Sequence, residues 1–244
     1  AGNSEPDTSA AVTPRTVPDA PPSVKASPEN LGAVLSWTAP ADGGSAISGY
    51  TVTATLVDSS VAVSTCTTED STSCTVDNLV NGAAYTFEVV GTNAAGPGPA
   101  ATSAAATVTP RTTPGAPTAV SGVGGNTMVT VSWTAPGNNG GSAITGYTVT
   151  AIPVDSSVAV STCTKVSTDP DPVSCTVGDL VNGTAYTFTV VATNAAGDGV
   201  GSAEPSVTPY TTPGAPTAVS GVGGNAQVMV SWTAPADNGG SAVT

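Results

Sequence analysis

One phrase, Trp-Thr-Ala-Pro, opens at Trp37, Trp133 and Trp232, at spacings of 96 and 99 residues. Longer stretches recur with it. Thr112 to Asn126 returns unchanged at Thr211 to Asn225, and Asp58 to Thr67 returns at Asp155 to Thr164. A period this long is a whole small domain and not a solenoid turn, so the chain must fold as a tandem array of globular modules. The repeat divides the 244 residues into two full modules, 15–110 and 111–209, flanked by two pieces. Residues 1–14 align with the last strand of a module, since Gly2 to Pro14 matches Gly197 to Pro209. Residues 210–244 supply only the first two strands of another. The expectation is a window onto a longer array.

Within a module the apolar pattern has the period of a strand. Val129, Val131 and Trp133 point one way while Thr130 and Ser132 point the other. Tyr50, Val52, Ala54 and Leu56 alternate with Thr51, Thr53 and Thr55, and Tyr85, Phe87 and Val89 with Thr86 and Glu88. One buried and one wet face predicts antiparallel sheets packed on each other, with no helical period anywhere. Trp37, Tyr85, Trp133, Tyr186 and Trp232 are the expected structural core. Pro153 stands where the first module has Leu56, near a strand end; lacking a donor, it predicts that pairing stops or bulges there.

Charge narrows the partners. Charged residues are 9% of the chain and the net charge is −13, with Arg15, Lys25, Arg111 and Lys165 as its cations. Nucleic acid needs its phosphates neutralised, and an anionic membrane surface is disfavoured for the same reason. No stretch is long and apolar enough for a spanning helix. The surface is solvated by Thr and Ser hydroxyls instead of ions.

Cys66 and Cys74 fall in one repeat, Cys163 and Cys175 in the next, and none is left over. Pairing within repeats predicts two local disulfides and an oxidising, extracellular compartment. Zinc does not fit these spacings in a chain without histidine.

The motifs resemble the fibronectin type III family. They are Trp37 on the second strand, G-Y-T-V at Gly49 to Val52, L-V-N-G-A-A-Y-T-F at Leu79 to Phe87, and N-A-A-G at Asn93 to Gly96. The second repeat carries the same set at Trp133, Gly146, Leu180 and Asn194. The resemblance implies an all-β fold of tandem seven-stranded antiparallel β-sandwiches, immunoglobulin-like in architecture. It places Leu79 with Tyr85, and Leu180 with Tyr186, in a tyrosine corner whose hydroxyl bonds back to the incoming chain. It also puts the cysteines on the strand labelled C′ and at the start of strand E, tying the edge of one sheet to the other. The family's usual domain has no such cysteines; the variant is similar to ones in bacterial secreted proteins.

The joints are as regular as the modules: V-T-P-R-T-V-P-D-A-P from Val12, V-T-P-R-T-T-P-G-A-P from Val108 and V-T-P-Y-T-T-P-G-A-P from Val207. Such proline density favours extended polyproline geometry and a semi-rigid array. Tyr210 replaces the arginine of the other two joints.

Chemistry finds little to work with. Hydroxyls abound, but there is no histidine beside them to act as a base. The acid pairs Glu69–Asp70 and Asp169–Asp171 lie in loops beside the cysteines and read as solvated charge. The loops P-A-D-G-G-S at Pro40, P-G-N-N-G-G-S at Pro136 and P-A-D-N-G-G-S at Pro235 read as tight turns, with a calcium loop as the alternative. Asn182-Gly183-Thr184 is an N-glycosylation sequon, and its counterpart at Asn81 lacks the hydroxyl. No catalytic, cofactor-binding or metal-ligating residue is expected. The expected role is a non-catalytic structural array: an extracellular rod serving as surface filament, sheath or adhesin stalk. Its partners would be neighbouring copies of the repeat or surface polysaccharide. The alternative is a spacer or carbohydrate-associated module in a large secreted polysaccharide-degrading enzyme.

Overall fold

A computed structural model describes residues 13–59, 61–103, 107–155, 161–166, 173–203 and 206–244. The strand expected at 1–14 and the pair Asp169–Asp171 thus lie almost wholly outside the described residues. The chain divides into two compact units, Ala1–Thr112 and Thr113–Thr244.

In the first unit the strands run β1 (Lys25–Glu29), β2 (Gly32–Ser36), β3 (Ile47–Leu56), β4 (Val61–Thr68), β5 (Ser73–Val76), β6 (Tyr85–Asn93), β7 (Gly96–Pro97) and β8 (Ala101–Thr102). One sheet has the order β1-β2-β5; the other is β4-β3-β6-β7, with β8 also on β6. Every pairing is antiparallel. β7 and β8 are two short pieces of one last strand, which makes a seven-stranded sandwich. The second unit repeats it with β9 (Thr118–Gly125), β10 (Met128–Thr134), β11 (Ile144–Pro153), β12 (Ser161–Val166), β13 (Val173–Val177), β14 (Tyr186–Asn194), β15 (Gly197–Asp198) and β16 (Ser202–Ala203). Its sheets are β13-β10-β9 and β12-β11-β14-β15, with β16 on β14. Among the described residues, β17 (Thr217–Gly224) and β18 (Gln227–Thr233) pair only with each other.

The cores follow from the alternation. Tyr50, Val52 and Ala54 of β3 and Tyr85, Phe87 and Val89 of β6 face Leu35 and Trp37 across the first sandwich, all buried. Tyr147, Val149, Ala151, Tyr186, Phe188 and Val190 meet Val129, Val131 and Trp133 in the second. Each tryptophan tilts against the tyrosine of its G-Y-T-V strand, with ring centroids 5.2 Å apart, a geometry that adds about 0.5–1.5 kcal/mol beyond area burial. Truncating Phe87 or Phe188, both wholly buried, would cost about 3–5 kcal/mol. The outward residues are hydroxyls in cross-strand rows: Thr53 opposite Thr65, Thr51 opposite Thr67, Thr150 opposite Thr162.

One expected core residue is elsewhere. Trp232 is 61% exposed, whereas Trp133, in the identical phrase, is 1% exposed. The cause is the partner sheet: Trp133 is covered by the sheet of β11 and β14, while no second sheet covers β17 and β18 among the described residues. A two-stranded ribbon has too little apolar surface to bury its own face.

Pro153 marks a stop, one of the two outcomes expected of it. No bulge marks it: it is the last residue of β11, in register with Tyr186, where β3 likewise ends at Leu56 opposite Tyr85. Val154 N–H donates to the Ala185 carbonyl, 2.9 Å away. N–H groups alternate sides along a strand, so the proline nitrogen points away from β14 and forfeits no bond with it. The described pairing with β12 ends at Ala151.

Candidate functional site

The cysteines sit on edge strands of opposite sheets. Cys66 on β4 is joined to Cys74 on β5, and Cys163 on β12 to Cys175 on β13, with Cα atoms 6.4 and 6.3 Å apart. Each bridge spans the open side of a sandwich, and all four sulfurs pack against a core.

The densest polar constellation gathers where the chain leaves each sandwich. Tyr85 lies buried, and its hydroxyl accepts the Val80 N–H at 3.0 Å; Tyr186 does the same for Val181 at 3.0 Å. This corner fixes the turn holding Asn81-Gly82 or Asn182-Gly183. The Asn81 Oδ1 accepts the Leu31 N–H at 2.9 Å, and its Nδ2 donates to Asn30 Oδ1 at 2.8 Å. Asn182 does the same with Thr127 N–H and Asn126 Oδ1, both at 2.8 Å. These bonds hold the β1–β2 and β9–β10 turns, where Leu31 (φ 57) and Thr127 (φ 55) adopt the left-handed conformation that non-glycine residues resist.

The outgoing linker closes the constellation. Val108 exchanges both backbone bonds with Tyr85, Gly82 N–H donates to the Pro110 carbonyl at 2.9 Å, and Arg111 N–H donates to Glu29 at 3.1 Å. In the second unit Val207 pairs with Tyr186, Gly183 N–H donates to Pro209 at 2.9 Å, and Tyr210 N–H donates to Gly125 at 3.0 Å. The very next residue is already bound to the following repeat: Thr211 N–H donates to the Gly239 carbonyl at 2.8 Å. A side chain on Gly240 would meet Gly183 N at 2.4 Å, so the two turns touch backbone to backbone. Between these anchors there is no free residue.

The incoming side is equally tied. Thr16 N–H donates to Gly43 at 2.8 Å, and Gly115 N–H to Asn138 at 2.9 Å. Asn93, 4% exposed, donates its amide to the Thr16 and Asp42 carbonyls at 2.8 and 2.7 Å while its Oδ1 accepts Ala95 N–H at 2.8 Å. Asn194 makes the matching bonds to Asn139 and Ala196 at 2.7 and 2.8 Å. Sequence reasoning used N-A-A-G only as a motif. The signal for this buried staple was its asparagine recurring at the same distance after each buried tyrosine.

The glycine-rich loops are turns. Gly43, Gly44, Gly140, Gly141, Gly239 and Gly240 all have positive φ. Side-chain oxygens brace these turns from within: Asp42 Oδ1 accepts Gly44 N–H, and Asn138 Oδ1 accepts Gly140 N–H, each at 2.9 Å.

A shallow open groove on the first unit is lined by Ser48, Gly49, Tyr50, Thr51, Thr67, Thr68, Glu69 and Thr92. Glu69 is its one titratable wall group besides Tyr50, whose hydroxyl is pushed up by burial and partly relieved by the Trp37 indole alongside. The indole N–H itself reaches no acceptor at hydrogen-bond geometry. A lone carboxylate cannot carry the two-group chemistry of glycoside cleavage.

The sequence matches a known family along both sandwiches. The sequence model described as fibronectin type III domain matches residues 19–109 and again 113–208. Among solved structures, the chicken CNTN1 FN1–FN3 domains share 24% identity at a TM-score of 0.37, over 88% of this chain and 75% of that one. A two-domain fibronectin type III segment of chicken tenascin shares 20% identity at a TM-score of 0.38, over 78% of this chain and 99% of that one. With both full sandwiches matched along their length, this chain belongs to the fibronectin type III family.

Proposed function

We propose that the chain is a stretch of a non-catalytic, semi-rigid extracellular rod, built for length and durability on a bacterial cell surface. The observation that carries this is the joint after the second sandwich. Tyr210 N–H is bound to the module behind it and Thr211 N–H to the repeat ahead. A flexible tether needs several unbonded residues between its anchors, and this joint has none. The disulfides favour an oxidising compartment. Hydroxyl rows with little charge favour lateral association with neighbouring copies, or contact with surface polysaccharide, over binding an ionic partner.

Electron microscopy of the native material tests the proposal. Straight fibres beaded at about one strand length per module, roughly 30–40 Å, are the expected result. Short rods ending in a larger globule would overturn it, and would instead make these modules the spacer of a secreted enzyme.

A further inference from the structure

The chain contains four Asn-Gly pairs, at Asn81, Asn139, Asn182 and Asn238. In an unstructured chain such a pair readily loses ammonia. The glycine nitrogen gives up its proton to solvent and attacks the asparagine Cγ. The Cγ–Nδ2 bond breaks and ammonia leaves. Water then opens the succinimide to aspartate or isoaspartate, so the net change is amide plus water to acid plus ammonia. The attack requires a glycine N–H free of other partners and a side chain free to swing over it.

All four glycine N–H groups are committed. Gly140 donates to Asn138 Oδ1 at 2.9 Å and Gly239 to Asp237 Oδ1 at 2.8 Å, each within one small turn. Gly82 and Gly183 are held otherwise, by the Pro110 and Pro209 carbonyls of the outgoing linker, both at 2.9 Å. Their asparagines are also pinned at both ends of the amide by a turn some fifty residues away. For these two, no local fluctuation of the turn suffices; the linker must peel off and the turn must release the amide.

We propose that Asn81 and Asn182 are spontaneous deamidation sites that the outgoing linker keeps shut, so that each records opening of its own joint and then holds it open. The product has no Nδ2 donor for Asn30 or Asn126. Isoaspartate adds a methylene to the backbone of the turn, and either product adds negative charge to a chain already at −13. The Nδ2 half of the latch that kept the reaction from happening cannot re-form after it. A module array that is pulled or heated long enough to open therefore acquires a permanent mark at the joint that opened.

The test is to age the full 244-residue chain in mildly alkaline buffer and quantify each site by peptide mapping. Asn81 and Asn182 should react at least about tenfold more slowly than in the same chain reduced and unfolded in urea, since exchange-type chemistry scales with the open population. Asn139 and Asn238, gated by small turns, should react before them. Y186F removes the acceptor of the Val181 N–H, and N126A removes the acceptor of the Asn182 amide. Either variant should raise the ratio of Asn182 to Asn81 conversion several-fold in the same molecule. Native rates at Asn81 and Asn182 equal to the unfolded rates would overturn the proposal. So would a ratio that neither variant changes.

Discussion

Removing one bridge at a time measures what the disulfides contribute, through C66A/C74A in the first sandwich and C163A/C175A in the second. The bridges close sequence separations of 8 and 12 residues. Loop-closure entropy then assigns them about 2.5 and 2.8 kcal/mol at room temperature. The sulfurs pack against the cores, so truncation to alanine adds a methylene's worth of lost burial, about 0.8 kcal/mol. For a domain near a hundred residues, a loss of about 3 kcal/mol lowers the melting midpoint by roughly 10–25 °C. Calorimetry on the full chain should show each double variant lowering one transition and leaving the other in place. The logarithm makes the two losses differ by only a few tenths of a kcal/mol, so they should be equal within experiment. A shift below about 0.5 kcal/mol in both, or a difference above about 1 kcal/mol between them, would refute the entropic account. A large difference would locate the effect in packing at one edge.

Four further outcomes are expected. Y85F should cost about 1 kcal/mol, because the Val80 N–H loses its partner at a half-buried site, and chemical denaturation should assign that loss to the first sandwich alone. G43A should destabilise by more than about 1 kcal/mol, since a Cβ there would lie 2.4 Å from the Thr16 carbonyl oxygen at φ +67, while G137A, with nothing within 4 Å, should change stability by less than about 0.5 kcal/mol. Acrylamide should quench one tryptophan far more than the others, and W232F should remove that component without moving either melting transition. Burial raises the Tyr50 hydroxyl above its ordinary 10.0, so the folded state keeps a proton that the unfolded chain releases. Stability should hold below that pH and fall as pH rises through the folded value, and Y50F should flatten the alkaline slope of the melting midpoint.

What was legible in the sequence was whatever one strand's pattern could encode. Period-two alternation at Tyr50, Val52 and Ala54 gives the buried face, and the tyrosine of L-V-N-G-A-A-Y gives the corner. The repeat itself gives the pairing partners of the cysteines. What was not legible depends on residues far away in the chain. Asn81 and Asn93 look alike on paper, yet one ties a turn fifty residues upstream and the other staples an incoming linker. No composition or period distinguishes them, because their roles are set by which backbone groups the fold brings past them. Pro153 shows the same dependence: its missing N–H would have faced away from β14, so pairing with β14 runs to the last residue of the strand while the described pairing with β12 ends at Ala151.

Trp232 makes the point physically. Its hairpin repeats the sequence of β9 and β10 almost residue for residue, pairs in the same antiparallel register, and leaves its tryptophan in water. Local sequence therefore specifies the ribbon, and burial is conferred by the opposing sheet. The same logic governs the joint. Gly183 and Gly240 come into contact because the linker has been consumed by hydrogen bonds from both sides, leaving nothing to hold the turns apart. In the proposed rod, stiffness would come from bonds that each module already makes at its own corner, so lengthening it would require no new kind of interface. The corner is not the joint's sole fastening: with the tyrosine hydroxyl or the asparagine amide removed, Val207 still pairs with Tyr186, and Tyr210 and Thr211 still bond to the turns on either side.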